Sequence, residues 1–287
     1  MVIASIIFTV SKYSWAIISG DFGSYLPESD YLQYLMVAEE GITSNASAPF
    51  KYRILTPMLV MVLPFDTILG FYLINLLFIF IASIVFYFYL QTFDFSKELS
   101  LIGVILFVVS HSIFYNSFLP MVDALNYLFF ALIFYLLRIK KEQFIPIVLM
   151  IGVLNHESIL LLGITFVLFY RGRKIIAIIV YGMVLFEFFL IRFMVGFDLV
   201  RITTIVIPFY IELGILAIIL FIGQTYLTTW IGVFYIRKDV FLRKASISYL
   251  PILLYMIIAI HLARIIFLTF PIMIPAFLYG LKENISD

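Results

Sequence analysis

The chain alternates long apolar runs with short polar breaks. Apolar stretches occupy residues 2–19, 66–90, 99–114, 121–137, 144–170, 175–193, 207–236 and 247–281. A bilayer-spanning helix needs about 20 apolar residues, with roughly 17–25 tolerated, so the runs read as helices, one or two per run. Residues 54–63 are apolar but too few to cross alone, and Pro57 and Pro64 punctuate them. They are expected to lie at the interface and lead into the span that begins at residue 66. The polar stretch 20–53 holds one short amphipathic helix over 32–38, with Ser29 or Asp30 as its N-cap.

Two runs are too long or too polar for one plain crossing. Run 144–170 carries Asn155-His156-Glu157-Ser158 in its middle. A carboxylate facing lipid at that depth is costly. Two short helices with Asn155 to Ser158 at the outward tip remove the problem; one long helix with Glu157 facing a protein-lined cavity is the alternative. Run 247–281, about 52 Å as a helix, is expected to break near His261 to Arg264.

Charge placement orients these elements. Lys and Arg collect on cytoplasmic loops. Three clusters hold more than half of the 18 basic residues: Arg138, Lys140 and Lys141; Arg171, Arg173 and Lys174; Arg237, Lys238, Arg243 and Lys244. The hairpin puts all three on one side. The expected fold is then an all-α polytopic transmembrane bundle, a single integral membrane domain over residues 1–287, with about ten crossings and both termini cytoplasmic. Segment 20–53, the loop 115–123 and the hairpin tip fall outside, where Arg264 also approaches.

Composition supports this class. Hydrophobic residues are 64% and charged residues 12%, with a mean hydropathy of +1.17. A soluble domain is about a quarter charged, so a soluble enzyme, a disordered chain and a nucleic-acid binder are excluded. The 32 Phe and 19 Tyr suit a lipid-facing exterior with interfacial rings. There is no cysteine, and so no thiol nucleophile or Cys-ligated metal. The first apolar run lacks a basic lead and a cleavage site, so it reads as a retained helix.

The polar residues gather on the outer side. Asp30 reads either as a helix cap or as a carboxylate held over an outer cavity as general base, with Asp21 its rival for that role. Glu39 and Glu40 suit a solvated helix end. Lys51, Tyr52 and Arg53 stand where the outer segment re-enters the membrane. Anchoring by snorkelling accounts for Lys51 and Tyr52. Arg53 suits a phosphate clamp, since a guanidinium offers paired donors. Asp123 opens an apolar helix, as a cap or a site, and Asn126 shares its face one turn on. His111 reads as an interior histidine. His156 and Glu157 leave three options open: a metal, a substrate hydroxyl, or an ion pair with Arg264 or Arg53. No H-E-x-x-H, P-loop, G-x-S-x-G or dinucleotide fingerprint is present. Asn45-Ala46-Ser47 is an outer-loop glycosylation sequon, and Asn284-Ile285-Ser286 a second on the cytoplasmic side.

Together, Asp30-Tyr31-Leu32-Gln33-Tyr34-Leu35, the run Ala48-Pro49-Phe50-Lys51-Tyr52-Arg53-Ile54-Leu55-Thr56-Pro57, Asp123-Ala124-Leu125 and Asn155-His156-Glu157-Ser158 resemble the small bacterial and archaeal members of the GT-C class of polytopic glycosyltransferases. The resemblance covers about the first 165 residues. It implies transfer of a sugar from a polyprenyl- or dolichyl-phosphate carrier to a lipid or glycan acceptor on the extracytoplasmic side. It implies Asp30 as base, with Asp21 second; Arg53 and Lys51 toward the phosphate; Asp123 and Glu157 on sugar or acceptor hydroxyls; and His156 and Arg264 in support. Some such enzymes also use a divalent metal, Mg or Mn; no metal ligand is assigned here. Asp21 and Asp30 stand nine apart, where many members place two acids side by side. A lipid-linked glycan flippase or small-solute transporter is the alternative, because intramembrane ionisable residues also mark transport paths.

Overall fold

A computed structural model describes residues 30–110, 112–113, 119–196, 223, 225–256 and 262–286. The first apolar run, Asp21, His111 and most of 207–236 lie outside the described residues. Every regular element among the described residues is a helix, with no strand.

Twelve α-helices follow one another: α1 Asp30–Glu40, α2 Leu55–Met61, α3 Thr67–Gln91, α4 Lys97–Val108, α5 Asp123–Arg138, α6 Ile145–Val153, α7 Ile159–Phe169, α8 Lys174–Val195, α9 Val240–Ala245, α10 Tyr249–Met256, α11 Leu262–Phe267 and α12 Phe270–Ser286. Short polar side chains start several of them. Asp66 accepts from the Ile68 and Leu69 amides (3.0 and 3.3 Å) ahead of α3, and Ser96 accepts from Leu99 N (3.2 Å) ahead of α4. Asp239 caps α9 through Leu242 N at 3.0 Å.

Helices α3 and α8, of 25 and 22 residues, are long and apolar enough to cross a membrane. Their outward sides are greasy: Phe80, Phe88, Phe186 and Phe193 are among their exposed large apolar residues. The other described apolar helices are shorter than 18 residues. Run 144–170 is broken, as expected. Helices α6 and α7 flank the turn, and the Arg171 Nε–Glu142 Oε1 ion pair (3.2 Å) ties their far ends together.

The C-terminal half departs from expectation in two places. The end of the run 207–236 is a 3-10 helix, Leu227–Lys238, not an α-helical span. It lies backbone to backbone on α12 at Gly232, where a Cβ would come within 2.7 Å of Phe277 N and 2.8 Å of Met273 O. The last run is broken at 268–269, past the expected position, and Arg264 lies inside the helix Leu262–Phe267; residues 257–261 lie outside the described residues. Thr269 donates its hydroxyl to Ile266 O (2.7 Å), and Pro271 has no amide to carry the ladder on.

Helices α3 and α5 pack along much of their length, and α12 fits beside them. Aromatic side chains fill the interior. Phe270 meets Phe86 and Phe107 with ring centres 5.1 and 4.8 Å apart, and Tyr127 stands edge-on to Phe267 at 5.4 Å. The buried Tyr89 hydroxyl donates to Pro271 O at 2.6 Å, pinning α12 to α3. A second, smaller cluster of Tyr34, Ala38, Val60, Phe71, Leu119, Met121 and Val122 seats α1 on the bundle.

Helix α5 sets the scale between the two polar ends. Asp123 is its first residue and Arg138 its last. Fifteen steps at 1.5 Å separate the two by about 22 Å. Around Arg138 lie the three basic clusters, joined by Arg138–Asp239 at 3.1 Å and Arg171–Glu142. Around Asp123 lies a different set of residues.

Candidate functional site

Five charged side chains from five places in the sequence meet at the Asp123 end. Asp30 opens α1, Arg53 follows the 3-10 turn Phe50–Tyr52, Asp123 opens α5, Glu157 lies in the α6–α7 turn, and Arg264 is on α11. Arg264 links two acids: its Nε bonds Asp123 Oδ1 at 2.6 Å and its Nη1 bonds Asp30 Oδ2 at 3.3 Å. Arg53 grips Glu157 with two donors, Nε to Oε2 at 2.9 Å and Nη2 to Oε1, in the paired geometry that suits a guanidinium and a carboxylate. Its Nη1 donates to the Tyr34 hydroxyl at 2.5 Å. Tyr34 is one helical turn beyond Asp30, so α1 presents both to the cluster.

Neutral hydrogen bonds fix the turn that carries Glu157. Asn155 donates to Val122 O (2.8 Å) and accepts from Thr56 Oγ1 (2.6 Å). Asn126 donates to Ser158 Oγ at 3.0 Å. Leu55 N donates to Leu154 O at 3.1 Å, so the re-entering segment is stitched to the turn through backbone as well. The expected outward tip is therefore not bare. Asn155, His156 and Ser158 are buried beneath α2 and the residues that lead into α5. A backbone and amide network of this kind is the cheapest way to keep polar groups at depth, because each donor finds an acceptor.

Burial and charge set the protonation states here. His156 Nδ1 accepts from Ser158 N at 3.1 Å, which places the ring proton on Nε2. Burial, reinforced by the nearby Arg53 guanidinium, holds the ring well below the ordinary histidine range, so it is neutral. Burial alone would favour the acid form of Glu157. The Arg53 guanidinium outweighs it and holds the carboxyl well below the usual range. Burial pushes the Tyr34 hydroxyl up to about 12, with Arg53 opposing.

Exposure ranks the acids. The Asp30 side chain is 24% exposed, Glu157 15% and Asp123 2%. Asp123 Oδ2 is buried with no hydrogen-bond partner among the described residues. Asp30 is thus the most exposed of the three carboxylates and Asp123 the most deeply buried.

Lys51 and Tyr52 sit beside this group rather than in it. Tyr52 is buried and donates to Gly196 O (3.0 Å) at the end of α8. Lys51 Nζ lies 5.4 Å from the Tyr52 ring centre, and the Arg192 guanidinium lies 4.5 Å from it. Asp30, Arg53, Asp123, Asn126, His156, Glu157 and Arg264, all named from the sequence, are in one neighbourhood; Asp21 lies outside the described residues. Tyr34 and Arg192 were not anticipated. Both carried a signal: Tyr34 stands four residues after Asp30, and Arg192 is a cation inside an apolar helix.

A divalent metal does not fit the described residues. No three of His, Asp or Glu come together among them, and a guanidinium already occupies the space between Asp30 and Asp123. No known protein family, curated protein or solved structure matches the chain.

Proposed function

We propose that this protein is an integral membrane glycosyltransferase of GT-C type. It moves a sugar from a polyprenyl- or dolichyl-phosphate carrier to an acceptor hydroxyl on the extracytoplasmic side. The observation that carries the reading is the meeting of Asp30, Arg53, Asp123, Glu157 and Arg264 at the end of the bundle opposite the basic clusters. Positive-inside placement of those clusters puts the cluster outside, and the remaining apolar runs complete a bundle of about ten crossings.

The chemistry follows from the ranking of the acids. Asp30, the most open, takes the proton of the acceptor hydroxyl as its oxygen attacks the anomeric carbon. The bond from that carbon to the carrier phosphate breaks, and the phosphate leaves with the electron pair. Arg264 orients Asp30 and is itself held by Asp123. Arg53 is fully engaged with Glu157 and Tyr34 and acts as a fixed positive charge at the floor. Lys51 and Arg192, both beside the Tyr52 ring, meet the charge that develops on the phosphate. This departs from the direct phosphate clamp expected of Arg53.

The test is an in vitro assay of the purified protein with labelled polyprenyl-phosphate sugars and a lipid or glycan acceptor mixture. Wild type transfers label; Asp30→Asn loses about 100-fold or more; Arg264→Lys loses less. Absence of transfer from every donor, with Asp30→Asn indistinguishable from wild type in cells, overturns the reading.

A further inference from the structure

One acidic side chain takes no part in the cluster. Glu187 is on α8, 13 residues after Lys174 and eight before Val195. At 1.5 Å per residue it is about 20 Å from one end of the helix and about 12 Å from the other. Its Oε2 is shielded and has no hydrogen-bond partner among the described residues. It borders a groove of about 520 Å³ lined by Ile179, Met183, Phe186, Glu187 and Leu190 of α8 and Met150 of α6. The groove faces outward: Ile179, Met183 and Phe186 are 57%, 54% and 68% exposed.

An acid at this depth needs a partner that can both give and take a hydrogen bond. Left against lipid it carries an unmet polar cost. A second copy of the same chain meets the need with no further ingredient. In a two-fold pair the same patch lies on both sides, so a residue near the axis meets its own counterpart. A carboxyl in its acid form has one donor and a remaining acceptor; two of them facing each other satisfy both. The flexible Met150 and Met183 side chains can fill the remainder of the seam.

We propose that α8 is a self-association helix, and that two copies of the chain pair along this groove with their Glu187 carboxyls facing each other. The proposal rests on α8 crossing a membrane and not on sugar transfer.

The chain has no cysteine, so single replacements report proximity cleanly. Met183→Cys and Leu190→Cys, four before and three after Glu187, lie on its side of the helix. Ile178→Cys is also exposed but lies nine residues away, half-way round at about 100° per residue. Oxidation of the full chain in its native membrane gives, at positions 183 and 190, a disulfide product of twice the 33.2 kDa chain mass, and far less at 178. Adding Glu187→Leu lowers the yield roughly threefold or more; Glu187→Gln, whose amide also donates and accepts, keeps most of it. Equal yields at all three positions, no product at 183 and 190, or a yield unchanged by Glu187→Leu overturns the proposal. If Glu187→Leu does not accumulate, the comparison of the three cysteine positions decides.

Discussion

The two ends of α5 both carry an arginine bound to an aspartate, yet they do different work. At one end Arg138 bonds Asp239 at 3.1 Å and Thr92 O at 3.2 Å, and lies over the Phe93 ring at 4.3 Å. Asp239 also caps α9. Every group there is accounted for by joining α3, α5 and α9. The neighbouring pairs are solvated, with Lys238 and Glu283 each about half exposed. At the other end Arg264 holds two acids, Asp30, whose side chain is 24% exposed, and Asp123, one oxygen of which has no hydrogen-bond partner among the described residues. Arg53 and Glu157 form a further pair beneath them. A pair that only fastens helices has its bonding capacity used up; at the other end Asp123 Oδ2 has no partner among the described residues, the spare capacity that the proposed site requires.

Mutations separate the two ends. The largest effect is on turnover: Asp30→Asn lowers sugar transfer about 100-fold or more while leaving expression and melting temperature near wild type. Arg53→Ala has the largest effect on stability. It leaves Glu157 buried without its partner, at a cost of about 3–5 kcal/mol, read as loss of folded protein in detergent. A paired Arg53→Leu and Glu157→Leu variant recovers much of that stability and none of the activity. Arg138→Ala costs about 2 kcal/mol, read in the melting temperature, and leaves the transfer rate per folded molecule unchanged.

Acid sharpens the same contrast. His156 is held neutral and Glu157 ionised, both below their ordinary ranges of 6.5 and 4.5. For each, the unfolded chain takes up the proton first, so stability is complete above the ordinary value and falls as the pH drops through it. The melting temperature therefore declines below pH 6.5 and again below 4.5. His156→Gln flattens the first decline. The smallest effect belongs to the solvated pair: Lys238→Ala leaves the melting temperature unchanged.

Much of this arrangement was legible in the sequence because burying charge is expensive. Glu157 in the middle of an apolar run forces a break, and the break is where α6 meets α7. The excess of Arg and Lys in three loops marks one end, and Arg53 away from them marks the other. The pairing itself was not legible. Arg264 and Asp30 are 234 residues apart, and a charge announces that it needs a partner without saying which. Arg53 had Glu157 among its options only because both were odd. The 3-10 helix Leu227–Lys238 was hidden for another reason: it lies against α12 at Gly232, and periodicity within the segment carries no trace of that neighbour. The burial of the α6–α7 turn was hidden likewise, since Asn155 and Ser158 look solvated until Thr56 and Asn126 reach them.

Sugar transfer from an external carrier depends most on which side of the membrane the Asp30 end faces. Ser47 is exposed at that end and Arg173 is exposed at the other. Each can be replaced by the only cysteine in the chain and probed with a membrane-impermeant maleimide. Ser47→Cys should react in intact cells and Arg173→Cys only after permeabilisation. The reverse pattern would put the cluster in the cytoplasm and end the case for sugar transfer from an externally presented carrier.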